Sequence, residues 1–460
     1  MKIPLVPPPW TKILAQADQD SIGRMLAEHA PMVRGAYLHW DQLRHRAPPE
    51  GLTSERWWAA IKMARAGMLR PLPLVDNNGQ PLNLAMPEPI LIHLHHIDKD
   101  AAGHIQASTE VTTPENRDRY LFQSMIEEAI TSSQLEGAAT TRRVAEDMLR
   151  EGRKPRDHSE HMIFNNFRAM EFIRSIRAEP ITPERIFDLH RLLVEETLEN
   201  SADAGRLRRT NDIHVADNRD GTILHQPPDH TELPERLERL CRFANADENS
   251  TPFVHPVLRA ILLHFMIGYD HPFVDGNGRT ARALFYWSMA RSGYWLTEFI
   301  SISHFLRQAP SQYVRAYLHT ETDDNDTTYF LIHQLEVIRK AIRGLYEYLE
   351  RKIAEQKTTE QILAGSSKLR HRLNHRQLAL LTHALKHPGE TYKIEGHQRS
   401  HGVVYQTART DLLALNELEL LEKERVGKSF IFFAPEALRK KLETLANRSL
   451  TEDTAPQRTP

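Results

Sequence analysis

The sequence predicts a mainly α-helical protein with one short β-hairpin in its core and a small C-terminal unit of helices and strands. Apolar residues recur at helical spacing over long segments, as in Val254–Met266, where they follow the pattern i, i+3, i+4, i+7. Two short alternating segments, Ile213–Val215 and Thr222–His225, flank a glycine-bearing turn, which is typical of a hairpin. From Leu373 onward the pattern changes to three helices followed by two strands.

Composition excludes several classes of protein. The chain has 460 residues, a net charge of −2 and a pI of about 7.0, so no strong electrostatic attraction to nucleic acid or to a membrane is expected from the whole chain. One cysteine, Cys241, excludes an intramolecular disulfide framework and suits a reducing compartment. The first ten residues lack the apolar core of a signal peptide. We therefore expect a cytoplasmic protein without a membrane partner.

The first 109 residues are predicted to form an N-terminal helical module. It is rich in tryptophan and histidine, which we interpret as core packing rather than as a site. Its predicted elements are a helix over Asp18–Glu28, a helix from an N-cap at Thr53 or Ser54 to Gly67, a tight turn at Asp76–Gly79 and a helix over Ile90–Asp98.

A predicted helix over residues 116–137 ends in an unusual way. An apolar stripe runs along it, and Gly137 is suited to terminate it as the residue after the C-cap. Ser132 and Glu136 lie in its last turns, where a glutamate faces the negative end of the helix dipole. A residue that breaks a local rule at a helix end indicates a functional reason.

The polar segment 271–282 is held between two apolar helical runs, and its glycines and arginines are suited to bind an anion. Gly276 and Gly278 allow positive φ and a close approach of backbone N–H groups to a ligand. Because a helix follows, its dipole adds to that attraction. Arg279 and Arg282 lie three residues apart, share a helix face and are suited to grip phosphate oxygens.

Two further side chains in this segment supply the groups for a proton transfer and for a metal. Asp275 is a hard oxygen ligand suited to Mg²⁺ that is held mainly by phosphate and water. His271 can be neutral near pH 7 and can accept a proton. Together these residue types indicate phosphoryl or nucleotidyl transfer to a hydroxyl group.

The segment HPFVDGNGRTAR resembles the HPFx[D/E]GNGRxxR signature of the Fic family of AMP-transferases, without a departure from the motif. The resemblance extends over residues 110–345 and implies a Fic-type helical core that uses ATP and Mg²⁺. It also implies a role for each motif residue. These are the general base His271, the Mg²⁺ ligand Asp275, the phosphate cradle Gly276, Asn277 and Gly278, and the phosphate-binding residues Arg279 and Arg282.

Two other segments are similar to elements of the same family. The pattern Ser132-x-x-x-Glu136-Gly137 resembles the [S/T]xxxE[G/N] inhibitory-helix motif. The resemblance implies that Glu136 pairs with Arg282 and prevents the γ-phosphate of ATP from docking. The hairpin over residues 213–226 corresponds to the family's flap, which aligns the residue to be modified. Tyr313 and Tyr317 share a helix face, and for each of them adenine stacking and core packing stay open.

The C-terminal third is predicted to comprise a helical connector over 346–368, a winged helix-turn-helix domain over 369–445 and a disordered tail over 446–460. Its recognition-type helix is placed at 404–417. This helix is not strongly basic, so DNA binding and protein contacts both stay open. The polar residues that would face DNA are Gln406, Thr407, Arg409 and Thr410.

The sequence thus predicts an autoinhibited enzyme that moves AMP from Mg²⁺-ATP to a Ser, Thr or Tyr hydroxyl of a target protein. Alternatives are removal of AMP, transfer of another phosphate-containing group such as UMP or phosphocholine, and a DNA-binding regulator that uses the C-terminal domain. Self-modification and a homodimer stay open. The target protein and the signal that relieves inhibition are not encoded in any motif that we recognise.

Overall fold

The computed structural model of the chain describes residues 3–102, 114–217, 219–363, 373–387, 389–426 and 429–442. These residues are mainly helical and their β-structure is confined to small antiparallel sheets, so the predicted fold class is confirmed. Within these ranges no helix is both long and apolar enough to cross a bilayer. The predicted tail 446–460 lies outside the described residues.

The chain divides into two compact units. The first contains Met1–His104, Glu127–Thr140 and Pro155–Ile342, and the second contains Ile105–Ile126, Thr141–Lys154 and Arg343–Pro460. Helices α6 (Pro114–Leu135) and α15 (Thr328–Leu363) contribute residues to both. The other helices of the first unit are α1 (Trp10–Ala15), α2 (Gln19–Ala27), α3 (Trp40–Leu43), α4 (Ser54–Ala66), α5 (Glu88–Ile97), α8 (His158–Ser175), α9 (Pro183–Leu193), α10 (Leu233–Ala244), α11 (Pro256–Asp270), α12 (Asn277–Arg291), α13 (Ile302–Gln308) and α14 (Pro310–Thr322). Its strands are β1 (Arg70–Val75), β2 (Pro81–Leu84), β3 (Val215–Ala216) and β4 (Ile223–His225), and its short helical turns are Asp98–Ala102, Ser201–Asp203, His230–Glu232 and Trp295–Phe299.

The N-terminal module belongs to the same unit as the central helices, which the predicted boundary at residue 109 did not anticipate. Buried polar contacts explain this. The ammonium of Lys62 lies 2.6 Å from Asp323, and both side chains are almost fully buried. The guanidinium of Arg65 donates to the hydroxyl of Tyr329 at 2.7 Å. Since a buried ion that loses its partner is costly, these contacts tie α4 firmly to α14 and α15.

Several local features of the module agree with the sequence prediction. Thr53 caps α4 through its hydroxyl, which accepts the N–H of Arg56. Strands β1 and β2 pair in antiparallel register around the predicted turn at Asp76–Gly79, where Gly79 has φ 74°. Trp58 is fully buried, in line with the interpretation that the tryptophans form core.

Helices α11 and α12 form the centre of the first unit. Most of their residues are buried, because the apolar positions of Pro256–Asp270 and Asn277–Arg291 leave little polar surface on either helix. The six residues between the two helices are therefore held rigidly at both ends. This arrangement is suited to pre-organise reacting groups.

Helix α6 ends as its sequence predicts. Gly137 has φ 97°, the N–H of Ala138 donates to the carbonyl of Ser133, and the N–H of Gly137 donates to the carbonyl of Gln134. These two hydrogen bonds form a Schellman motif, which satisfies carbonyls at the helix end. The termination places Glu136 immediately beyond the last helical residue, Leu135.

The second unit is described from α7 (Arg142–Glu151) and from the C-terminal part of the chain. There it contains α16 (His375–Lys386), β5 (Thr391–Lys393), α17 (Ile394–His401), α18 (Tyr405–Glu417), β6 (Glu422–Val426) and β7 (Ser429–Phe433). The strands form an antiparallel sheet in the order β5-β7-β6. Asp411 links α18 to α16 and α17 by accepting hydrogen bonds from Arg376 and His397.

One prediction in this region is corrected. The sequence predicts two strands here, but residues 391–393 form a third, in which Tyr392 pairs with Phe432 of β7. The predicted end of the catalytic domain at residue 345 lies within α15, three residues beyond Ile342, where the first unit ends.

Candidate active site

Two hydrogen bonds from the side chain of Asn277 hold the loop between α11 and α12 in shape. The side-chain oxygen of Asn277 accepts the N–H of Phe273 at 2.9 Å, and its amide nitrogen donates to the Phe273 carbonyl at 2.8 Å. Phe273 is fully buried and anchors the loop in the core. The side chain of Asn277 thus holds the loop in the shape of the predicted phosphate cradle.

His271 ends α11 in a left-handed conformation with φ 45°. A non-glycine residue rarely adopts this region, and such strain is frequent at functional sites. Its Nδ1 donates to the carbonyl of Gly268 at 3.1 Å, which leaves Nε2 as the proton-accepting nitrogen. Burial lowers the pKa of His271 below its usual value, which favours the neutral imidazole that a general base requires.

Asp275 and Arg279 form a pair at the start of α12. The guanidinium of Arg279 donates to the Asp275 carboxylate at 3.0 Å and to the carbonyl of Leu193 at 3.0 Å. The Arg279 side chain is fully buried, whereas that of Asp275 is 53% exposed. The sequence predicts that Arg279 contacts phosphate. In the structure it orients Asp275 and contacts the end of α9, and its contact with phosphate stays a prediction.

The carboxylate of Asp275 fits the kind of Mg²⁺ site that the sequence predicts. Arg279 bonds one oxygen, Oδ2, and the side chain is otherwise accessible. Among the residues that the structure describes, no cluster of three or more His, Cys, Asp or Glu side chains is suited to enclose a metal ion. An ion here would therefore take most of its ligands from phosphate and water, as Mg²⁺ commonly does.

His190 is a site residue that the sequence analysis missed. Its Nε2 donates to the backbone carbonyl of Asp275 at 2.9 Å, and its Nδ1 accepts the N–H of Gly205 at 2.9 Å. Its ring stacks on Phe273 with centroids 3.8 Å apart. Burial lowers the pKa of His190 to about 4, so the ring is neutral and keeps this tautomer. A lone histidine on an amphipathic helix carries no sequence signal for such a role.

The first turn of α12 forms a small cradle. Gly276 has φ 79°, and a Cβ there would lie 2.8 Å from the side chain of Val194. A Cβ on Gly278 would lie 2.1 Å from a carboxylate oxygen of Glu136. The Glu136 carboxylate therefore lies directly over the N-terminus of α12, where backbone N–H groups and the helix dipole attract an anion.

Arg282 joins this cradle to the end of α6. Its guanidinium donates to the Glu136 carboxylate at 2.8 Å, to the Ser132 hydroxyl at 2.8 Å and to the Ser132 carbonyl at 3.0 Å. The Arg282 side chain is almost fully buried, and that of Glu136 is 29% exposed. The three residues thus come together in the arrangement that the sequence predicts, with Gly137 ending the helix beside them.

A second acidic residue holds α6 in place. Glu128 is almost fully buried and accepts hydrogen bonds from the hydroxyls of Tyr286, Ser301 and Ser303. Burial raises the pKa of Glu128. These bonds connect the middle of α6 to α12 and to the start of α13, one and two helical turns before Ser132 and Glu136.

The predicted hairpin lies beside the histidine loop. Its strands pair Val215 with His225 in antiparallel register. The imidazole of His225 donates to the carbonyl of Tyr269 at 2.7 Å and to the carboxylate of Glu321 at 2.7 Å. Burial acts to lower the pKa of His225, but the hydrogen bond and charge of Glu321 outweigh it, so the pKa is raised and the ring favours its doubly protonated form.

The two tyrosines of α14 differ in their surroundings. The ring of Tyr317 stacks on Phe265 with centroids 4.8 Å apart, which favours core packing for this residue. The hydroxyl of Tyr313 lies 2.7 Å from Nε2 of His264. Neither position contradicts the predicted shared helix face, and the question of adenine stacking stays open for Tyr313.

Comparison with known proteins places this site in a family. Residues 180–289 match the family described as "Fic/DOC family". The proteins named protein adenylyltransferase Fic from Drosophila sechellia and Drosophila melanogaster are each 30% identical to this chain over 199 residues. That stretch covers 43% of this chain and 37% of the length of each relative.

Two solved structures are similar to the chain. A Fic family protein from Desulfovibrio desulfuricans is 18% identical with a TM-score of 0.48, and the match covers 76% of this chain and 97% of the other. Fic-1 from C. elegans is 21% identical with a TM-score of 0.44, and the match covers 56% and 70% of the two chains. Residues 180–289, which contain the intact motif at residues 271–282, therefore form a region of the Fic/DOC family.

Proposed function

We propose that the protein transfers AMP from ATP to a serine, threonine or tyrosine hydroxyl of a target protein and that Glu136 restrains this activity. The observation that supports the proposal is the position of the Glu136–Arg282 pair. It covers the anion-binding N-terminus of α12 in the same loop system that presents Nε2 of His271. The names of the curated relatives support the same reaction.

In the proposed reaction, Nε2 of His271 removes the proton from the target hydroxyl. The oxygen forms a bond to the α-phosphorus as the bond from that phosphorus to the bridging oxygen breaks, and pyrophosphate leaves. The N–H groups of Gly276–Gly278 stabilise the charge on the phosphates, in the manner of a preorganised anion hole. A Mg²⁺ ion, when bound, would neutralise phosphate charge. Asp275 is oriented to hold it, with Arg279 fixing the carboxylate.

The restraint follows from competition for one guanidinium. Arg282 is suited to bind the terminal phosphate, but its Nε and Nη2 donors are occupied by Ser132 and Glu136. The Glu136 carboxylate also lies within van der Waals distance of the cradle backbone. A phosphate in the same position meets both steric overlap and repulsion between like charges. We therefore expect that ATP binds productively only when Glu136 moves away.

The experiment compares three forms of the full-length protein. Each is incubated with Mg²⁺, ATP labelled at the α-phosphorus and a soluble protein extract as acceptor, and the label in protein is counted. Glu136→Gly is expected to label protein at least tenfold faster than the wild type. Glu136→Gly with His271→Ala is expected to lose transfer by about 10²–10⁴-fold relative to Glu136→Gly, the usual contribution of a general base.

Each outcome decides one assignment. Equal labelling by the wild type and Glu136→Gly would remove the proposed restraint. Labelling that persists after His271→Ala would show that His271 is not the general base. Extract proteins and the chain itself are separated by electrophoresis, so self-modification is measured in the same assay.

A further inference from the structure

Arg208 is a buried arginine that contacts the histidine loop through its backbone and its side chain. It is 3% exposed. Its N–H donates to the carbonyl of Pro272 at 2.9 Å, and its Nε donates to the carbonyl of His271 at 3.0 Å. Both acceptors belong to the left-handed turn that holds the proposed base. Arg208 therefore restrains the backbone at a residue that adopts the left-handed conformation.

The remaining nitrogens of the same guanidinium bind the segments immediately before and after the β3–β4 hairpin, which we call its roots. Nη1 donates to the carbonyl of Thr210 at 2.7 Å and to the side-chain oxygen of Asn211 at 3.0 Å, just before the hairpin. Nη2 donates to the carbonyl of Pro228, just after it. One side chain thus binds the chain entering the hairpin, the chain leaving it and the histidine loop.

Asn211 completes this connection at an exposed position. Its amide nitrogen donates to the carboxylate of Asp229 at 2.6 Å, and its oxygen accepts the N–H of His230 at 2.8 Å as well as the bond from Arg208. Because Asp229 and His230 follow the hairpin, Asn211 joins the two roots directly. The two ends of the hairpin are therefore connected to each other and to the loop of His271.

We propose that Arg208 is a positioning residue for AMP transfer, and that it holds the hairpin and His271 in one fixed arrangement. The inference rests on the proposed function, in which His271 removes the proton of the target hydroxyl, and on the target-aligning role that the family resemblance implies for the hairpin. Transfer requires the target hydroxyl and Nε2 of His271 to meet at one point, and a displacement of about 1 Å can cost about 10²-fold in rate. Arg208 bonds both of the elements that bring these groups together.

The chemistry of this contact requires arginine. Its planar guanidinium has five N–H donors. Arg208 uses four of them, one from Nε, two from Nη1 and one from Nη2, to bond oxygens of three separate segments. Lysine keeps the charge but has three donors on a single atom, which cannot reach all of these acceptors. Because these bonds go to the hairpin roots and the histidine loop, we expect substitution to affect transfer much more than nucleotide binding.

The test uses full-length protein, and every variant also carries Glu136→Gly. The restraint by Glu136 is therefore absent from all of the proteins that are compared. Arg208→Lys is compared with Arg209→Lys, a matched change at the exposed neighbouring position. Asn211→Ala serves as a milder variant that weakens the cross-link from the surface. Transfer of α-labelled AMP to protein gives the rate, and titration with a non-hydrolysable ATP analogue gives nucleotide affinity.

We expect Arg208→Lys to lower the transfer rate by about 10²-fold, while the affinity for the ATP analogue changes by less than about twofold. Asn211→Ala is expected to lower the rate by about tenfold, and Arg209→Lys to leave both quantities unchanged. A rate for Arg208→Lys within about threefold of its parent would overturn the inference, and so would an equal loss of rate and affinity. If Arg208→Lys does not fold, an unchanged rate for Asn211→Ala overturns it. Absence of transfer by the Glu136→Gly parent would instead reject the proposed function.

Discussion

Individual residues divide sharply between those whose roles can be read from a motif and those whose roles depend on distant partners. His271, Glu136 and Arg282 were predicted from residue type, spacing and family resemblance, and the structure brings Glu136 and Arg282 together. Arg279 was predicted at the phosphate, and the structure adds a buried contact with Asp275 that was not predicted. The sequence could not reveal this because a helix periodicity identifies a shared face and leaves open which neighbour covers it.

His190 and Arg208 were not predicted for a related reason. Their acceptors lie 85 and 63 residues away along the chain, at the carbonyls of Asp275 and His271. Backbone carbonyls carry no side-chain signature, so no motif marks the pairing. Such contacts become visible only when the fold has placed the two segments side by side.

A pH dependence follows at the scale of one residue. His271 must be neutral to accept a proton, and burial lowers its pKa below the usual 6.5. Activity limited by His271 is therefore fully present above the lowered pKa and is lost as the pH falls through it. The initial rate of AMP transfer by Glu136→Gly, measured from about pH 4 to pH 8, should have an acidic midpoint below 6.5. Circular dichroism over the same range controls for unfolding, and a midpoint at or above 6.5 would contradict the assignment.

At the scale of elements, helix α6 shows which features of a helix the sequence pattern can predict. Its apolar stripe and its terminating glycine predicted its course and its end, and both agree with the structure. The role of Glu128 was not predictable, since Glu127 and Glu128 both look like ordinary surface charges in a helix. Only the fold shows that Glu128 is enclosed by hydroxyl donors from two other segments.

The anchoring of α6 by Glu128 leads to a prediction for the restraint. Glu128→Ala removes the acceptor of Tyr286, Ser301 and Ser303, and each buried donor left without a partner costs about 1–3 kcal/mol. We expect weaker docking of α6 and a rise in basal AMP transfer of roughly 5–30-fold, the range that 1–2 kcal/mol corresponds to. The rise should stay below that caused by Glu136→Gly.

The matched control for this prediction is Glu127→Ala on the same helix. Glu127 contacts His304, which is 39% exposed, so the contact is partly in solvent and contributes little. We expect the basal rate of AMP transfer by Glu127→Ala to equal that of the wild type. If Glu128→Ala and Glu127→Ala had the same transfer rate, Glu128 would have no part in holding α6 against the site.

For the whole molecule, composition and periodicity predicted a mainly helical protein correctly, but they did not predict how its parts group. The N-terminal module shares a unit with the central helices through contacts such as Lys62 with Asp323, which are 261 residues apart. The described C-terminal residues include α16, α17, α18 and a three-stranded sheet, and β5 was missed because three residues are too short to show alternation. Its assignment as a winged helix and its binding partner remain predictions. Val404 and Tyr405, at the start of α18, are exposed and available for contact.

The central claim, that the intact chain transfers the adenylyl group of ATP and is restrained by Glu136, is tested most directly by the position of a label. Full-length wild type and Glu136→Gly are each incubated with ATP labelled either at the α-phosphorus or at the γ-phosphorus, and the label in protein is measured. We expect Glu136→Gly to incorporate the α-label and to release the γ-label as pyrophosphate, and the wild type to incorporate little of either. Incorporation of the γ-label, or equal incorporation of the α-label by the two proteins, would contradict it.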